Sequence, residues 1–309
     1  MVRLIVRRIL RLIPVLLVVY SITFGLFKLT PGSPFQLGTR PLPPDTIKAV
    51  EKQYGLDKPW YEQYVSYLGK AVHGDFGPSY TKRGQSVRDV IGPAIPITLQ
   101  LSIAAFLIGP TIGIALGLLG AVRRNTWLDY LSSGVATLGV SIPGYVAVSA
   151  LIVIFGVTLR WLPVQGWHGI FSVSAIIPVL ALALEPLAVF ARFTRSSALE
   201  VLGSDFIRTS RARGLRERTV ILRHVMKNAL IPVLTVGGLE FAGLIGGSFF
   251  VETIANVPGL GRATVVALIG RDFPVIMATV LIAALAIVVV NLLVDLIYLV
   301  VDPRVEVSA

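Results

Sequence analysis

The feature that most restricts this sequence is a pair of long apolar runs, residues 96 to 122 and 131 to 159, that contain no Asp, Glu, Lys, Arg or His. Lipid solvates such runs on every side, and roughly 20 apolar residues suffice to cross a bilayer core. Further runs of suitable length lie near residues 9 to 29, 173 to 191, 229 to 251 and 274 to 301. The chain is 54% hydrophobic and 15% charged, with a mean hydropathy of +0.78; soluble domains carry about a quarter charged residues. These patterns predict an all-α integral membrane protein with six membrane helices.

The net charge of +11 does not point to nucleic acid, because the basic residues fall in short clusters between the apolar runs, where they encode topology. With no cysteine, disulfides, thiolate metal sites and a cysteine nucleophile are excluded. His73, His168 and His224 are far apart and on different sides of the predicted topology, so no histidine metal centre is expected. The Gly69-Lys70 pair lacks both a glycine five residues before Gly69 and a following Ser or Thr. It is no phosphate-binding loop, and neither ATP nor another cofactor is expected on this chain.

Arg3, Arg7, Arg8 and Arg11 precede the first apolar run, which is longer than a signal-peptide core and lacks a small-x-small cleavage site. It reads as an uncleaved membrane helix. Those arginines, Arg123 with Arg124, and the segment 192 to 228, with nine Lys and Arg against three acidic residues, define the cytoplasmic connections. The sparsely charged connections 160 to 172 and 252 to 273 then face outward, and both termini are cytoplasmic. Long translocated segments escape the charge rule, so the lysine-containing stretch 30 to 95 is also placed outside. The expected organisation is an N-terminal region and first helix (1–29), an extracytoplasmic helical insertion (30–95), a core of five helices (96–302) containing the loop 192–228, and a tail (303–309).

Within the insertion, Pro44 and Asp45 open one helical pattern and Pro59 another, whose Trp60, Tyr64 and Leu68 recur along one face. That face suits packing or membrane anchoring, or else a partner. Inside the membrane, Gly109, Gly113 and Gly117 recur every four residues, and Gly243 and Gly247 repeat the spacing, as close helix approach requires. Three carboxylates, Glu185, Glu240 and Asp295, fall in the last three runs. An intramembrane charge is costly and is usually paired, protonated or facing water. Glu185 precedes Pro186, where a freed carbonyl would make a polar break beside a cavity. Glu185 and Glu240 are therefore either part of a translocation path or static residues, hydrogen-bonded between helices or protonated and packed, and Asp295, near the inner end, either pairs with basic groups or caps packing.

The most informative stretch is GSDFIRTSRARGLRER, Gly203 to Arg218. Ser204 or Asp205 can cap a helix, Gly214 can end it in the left-handed region, and Val220, Ile221 and Leu222 resume an apolar pattern. A short helix, a turn and a second helix reaching out from the membrane suit docking to another protein.

FIRTSRARGLRERTVILRHVMKNALIPV resembles the cytoplasmic loop motif of ABC importer permeases in its peptide-transporter form. Over nearly the whole chain, RRILRLIPVLL, TPGSPF, YGLDKPW, HGDFGPSY, NTWLDY, WLPVQGW, ETIANVPGLG and NLLVDLIYLVVDPR are similar to the same family in the same order. PGSPF and HGDFGPS lean toward the oligopeptide permease B branch. The resemblance implies the six-helix membrane domain of a type I importer that moves peptides, with a second homologous permease subunit, two cytoplasmic ABC ATPase subunits or domains, an extracytoplasmic peptide-binding protein, and the lipid of a prokaryotic plasma membrane as partners. No bond is broken by this chain itself. By position, Arg208, Thr209, Ser210, Arg211, Ala212, Arg213, Gly214 and Leu215 form the ATPase-coupling element. The usual Glu-Ala-Ala at its start is here Arg208-Thr209-Ser210. The competing reading is an ion-coupled carrier or channel using Glu185, Glu240 and Asp295.

Overall fold

The computed structural model describes residues 2–30, 35, 43–82 and 84–301; the tail 303–309 and the side chain of Asp295 lie outside the described residues. Every regular element is helical: α1 (Val2–Leu29), α2 (Pro44–Gln53), α3 (Trp60–Val72), α4 (Val87–Ile91), α5 (Ala94–Val122), α6 (Trp127–Ser141), α7 (Gly144–Leu151), α8 (Ile176–Leu202), α9 (Asp205–Ala212), α10 (Glu217–Thr219), α11 (Met226–Ile254), α12 (Leu260–Gly270) and α13 (Phe273–Val301). Leu12–Leu29, Val87–Val122, Val173–Leu202 and Phe273–Leu293 are each long and apolar enough to cross a membrane. The 29 residues of α11 extend about 43 Å at 1.5 Å per residue, beyond the ~30 Å hydrocarbon core.

The run 131 to 159, expected as one helix, is a bent pair. The axes of α6 and of α7 with its π-helical extension Ile152–Thr158 turn by 107° at a break between Ser141 and Gly144. The cause is Pro143. It has no N–H for a continuing helix, and it drives the preceding Ile142 into extended backbone (φ −96°, ψ 112°). Pro186, by contrast, sits inside α8 without interrupting the helix.

The described residues fall into two compact units, one within 2–98 and 258–288, the other within 99–257 and 289–301. In the first, Tyr20, Phe24 and Met277 form a buried cluster against Tyr64, Tyr67 and Leu68. Tyr20 Oη donates to the Tyr64 carbonyl (2.7 Å), and Tyr67 Oη donates to that of Pro274 (3.2 Å). The packed face of α3 is thus Tyr64, Tyr67 and Leu68, while Trp60 is exposed. Asp272, 1% exposed, ties the segment after α3 to the turn between α12 and α13. It accepts from the Ser79 and Thr81 hydroxyls and from the Tyr80 (3.0 Å) and Thr81 (3.1 Å) amides.

In the second unit, the α5 glycines meet α8. A Cβ on Gly109, Gly113 or Gly117 would stand 2.6, 2.4 and 2.4 Å from the carbonyl oxygens of Ala183, Leu187 and Ala191. Glycine every fourth residue is what lets the two backbones touch. Gly243 and Gly247 behave differently: among the described residues nothing lies within 4 Å of a Cβ at either.

Candidate coupling element and membrane cleft

The segment Arg208 to Leu215 forms the C-terminal part of α9 and the turn that ends it. Ser204 occupies the N-cap position, but its hydroxyl donates to the Val201 carbonyl (2.5 Å) instead of capping an amide. One side chain of α9, Ile207, is fully buried, in a cluster with Ala121, Ala198, Val220, Val225 and Ala229. That cluster seats the short helix on the ends of α5, α8 and α11, since eight residues alone would not hold a helix in water. Arg208, Thr209, Arg211, Arg213, Gly214 and Leu215 are exposed.

Gly214 closes α9 with a Schellman turn. Its amide donates to the Arg211 carbonyl (2.9 Å), the Leu215 amide donates to that of Ser210 (3.4 Å), and its own φ is +76°. A Cβ on Gly214 would meet nothing within 4 Å, so the glycine is required by backbone conformation and not by space. Across the turn, Arg211 makes a two-point contact with Glu217, 2.6 Å from Nη2 and 3.2 Å from Nε. This hydrogen bonding holds the Glu217 carboxyl below, and the Arg211 guanidinium above, their ordinary ranges.

α8, which carries α9 at its end, is pinned by a second ion pair. Arg195 donates from Nε (2.5 Å) and Nη2 (3.0 Å) to the two oxygens of Asp129, which also accepts the Asn125 amide (2.9 Å). Asp129 is 3% exposed. Gly120 lies over Ser132 and Asp129, leaving no more than 3.1 Å to the Ser132 Oγ for an added Cβ. Sequence reasoning missed this pair. Asp129 stands within the NTWLDY block, but 66 residues separate it from Arg195, and no periodicity links them.

Glu185 lines a cleft of about 180 Å³ with Leu182, Gly144, Tyr145, Gly243 and Phe250, while Glu240 stands on α11 about one turn before Gly243. Pro186 offers no N–H to the carbonyl of Leu182, which lines the same cleft. The cleft opens on the unpacked glycine face of α11, where Leu239 and Phe250 are exposed as well.

The model of the family "binding-protein-dependent transport system inner membrane component" matches residues 113–307, and the model of its N-terminal part matches residues 1–102. This chain belongs to that family. It is accordingly a multi-pass protein of a bacterial inner membrane and a permease component rather than an ATPase. It is 42% identical over 307 residues to the oligopeptide transport system permease protein OppB of Salmonella typhimurium, covering 99% of this chain and 100% of that one. It is 39% identical to the dipeptide transport system permease protein DppB of Bacillus subtilis, covering 99% and 98%. The fold is that of ABC importer membrane subunits. A chain of the inward-facing MetNI methionine ABC transporter superposes with a TM-score of 0.59 at 20% identity, over 69% of this chain and 96% of that one. A chain of an amino acid ABC transporter gives 0.52 at 19% identity, over 67% and 91%.

Proposed function

We propose that this permease carries peptides, in the oligopeptide range, across the inner membrane as one half of an ATP-driven importer. The reading rests on the identity with proteins named as oligopeptide permeases, which runs from end to end of both chains. The other components are a second permease subunit of the same family, two cytoplasmic ATPases and an extracytoplasmic peptide-binding protein. Both termini and the loop 192–228 are cytoplasmic, and residues 30–95 are outside. Arg208 to Leu215 dock on an ATPase: an exposed helix with a rigid, glycine-closed end can transmit a push without unwinding. The second permease covers the open face of α11, and Glu185 with Glu240 border the path between the subunits. Closure of the ATPases then shifts the population between outward-open and inward-open arrangements, as rigid bundles rock about the path.

The test is uptake of a labelled peptide into proteoliposomes containing all the components. Uptake should require ATP and the binding protein, and reporter fusions at His73 and Arg213 should report opposite sides of the membrane. Proton-driven uptake by this chain alone, lost in Glu185→Gln and Glu240→Gln, would replace this reading with that of an ion-coupled carrier.

A further inference from the structure

In the unit built from residues 2–98 and 258–288, a cleft of about 330 Å³ has buried Phe24 and Met277 at its floor and Lys52, Lys58 and Lys70 among its lining residues. Glu62 is the one carboxylate lining it. Among the described residues none of the three ammonium groups has an ion-pair partner, and residues 1 to 44 contain no Asp or Glu that could supply one. A fourth lysine, Lys28, donates from Nζ to Gln63 Oε1 (2.6 Å), another residue of the cleft wall.

The cleft is not isolated. A groove of about 390 Å³, lined by Leu26, Leu268, Ile276 and Val280 with Thr23, Thr30 and Arg271 at its margins, shares Phe27 and Phe273 with it. One aromatic pair, Phe27 against Phe273, borders both cavities. Phe27 is two residues from the end of α1, and Phe273 is the first residue of α13. The cleft thus lies where two membrane helices leave the hydrocarbon. The groove runs inward from it: Val280 is seven residues further along α13, about 10 Å deeper.

We infer that cleft and groove together bind one anionic phospholipid. Its headgroup phosphate lies among Lys52, Lys58 and Lys70, and an acyl chain lies along Leu26, Leu268, Ile276 and Val280. Both halves are needed to select this ligand. A soluble anion or an acidic protein segment would use the lysines and leave the groove bare. A zwitterionic lipid would use the groove but would match the cationic rim poorly, and each lysine near a headgroup favours net negative charge. Bound there, the lipid would wedge α1 against α13 at the level of the membrane surface.

The experiment uses the full-length chain in nanodiscs of phosphatidylcholine containing a minor fraction of phosphatidylglycerol, with retained lipid counted by native mass spectrometry. One phosphatidylglycerol should be retained in preference to phosphatidylcholine. The combined exposed-residue variant Lys52→Gln, Lys58→Gln, Lys70→Gln should weaken retention by about a hundredfold, a factor of about five per lysine. Leu268→Glu, at an exposed position of the groove, should weaken it while leaving the lysines intact. Circular dichroism should show unchanged helicity in both. Equal retention of the two lipids, or a triple-lysine variant that retains phosphatidylglycerol like the parent, overturns the inference. So does a loss with the lysine variant alone and none with Leu268→Glu, which would make the cleft a site for soluble anions.

Discussion

The seam beneath α8 and the turn at Gly214 are built from the same two parts, a glycine and an Arg–carboxylate pair, yet the parts act for opposite reasons. In the seam, Gly113 is required because backbone occupies the space of its missing side chain. At the turn, Gly214 has open space around it and is required by its positive φ. The Asp129–Arg195 pair has a carboxylate 5% exposed at its side chain, whereas the Arg211 and Glu217 side chains are 44% and 54% exposed. A seam of this kind stores stability. A turn of this kind, in solvent, contributes little stability and instead controls direction.

The largest effect should come from Gly113→Val. The new Cβ would stand 2.4 Å from the Leu187 carbonyl and 3.0 Å from the Phe190 Cβ, and a backbone oxygen inside a helix cannot swing away. Destabilisation of at least about 3 kcal/mol is expected, seen as loss of folded chain in thermal unfolding of the detergent-solubilised protein. A stable Gly113→Val chain would mean that the two helices are not in backbone contact.

Next in size is Asp129→Ala, which leaves the Arg195 guanidinium and the Asn125 amide without their acceptor. About 3 kcal/mol should be lost. Because the cost lies mainly in the abandoned partner, the double variant Asp129→Ala, Arg195→Met should be more stable than Asp129→Ala alone. Additive losses in that cycle would show that the pair does not act as a unit.

Gly214→Val should do something different. A left-handed conformation costs a β-branched residue about 1–2 kcal/mol locally, and no packing is lost. Global unfolding should hardly change, while peptide uptake and substrate-stimulated ATP hydrolysis by the assembled importer fall together. Gly214→Ala should be intermediate and Gly214→Asn mildest, since Asn tolerates positive φ. Equal activity across the three variants would remove the turn from the coupling mechanism.

The smallest effect belongs to the Arg211–Glu217 pair, worth ~0 to 1 kcal/mol at its exposure. The Glu217 carboxyl is depressed by its hydrogen bond to Arg211. Its stabilisation is therefore complete above the ordinary Glu value of about 4.3 and is lost as pH falls through the lower, folded value. Amide-exchange protection at Gly214 and Leu215, corrected for the intrinsic rate, should be flat above about pH 5 and decline below about pH 4. In Glu217→Gln that decline should vanish, and in Arg211→Ala protection should be slightly reduced at neutral pH.

Much of the fold was legible because its causes are local. Long apolar runs, the glycine ending α9 and the prolines opening α2 and α3 each specify backbone through a few neighbouring residues. The same local logic misread residues 131 to 159. Apolarity was continuous there, but Pro143 imposed a bend that hydropathy does not register. Pro186, in contrast, leaves α8 continuous, because that helix is packed on several sides and carries the proline through.

By itself, then, the sequence determined the solvent of this protein, its helical class, its family resemblance and the position of its exposed turn, since each depends on composition or on contacts a few residues long. Only the tertiary structure decided that Gly109, Gly113 and Gly117 of α5 meet α8 and that Gly243 and Gly247 of α11 stand open. It alone paired Asp129 with Arg195 and brought Asp272 to Ser79, Tyr80 and Thr81, across 66 and more than 190 residues of chain. Pairings at such separation are selected by the packing of whole helices, and no short stretch of residues carries that information.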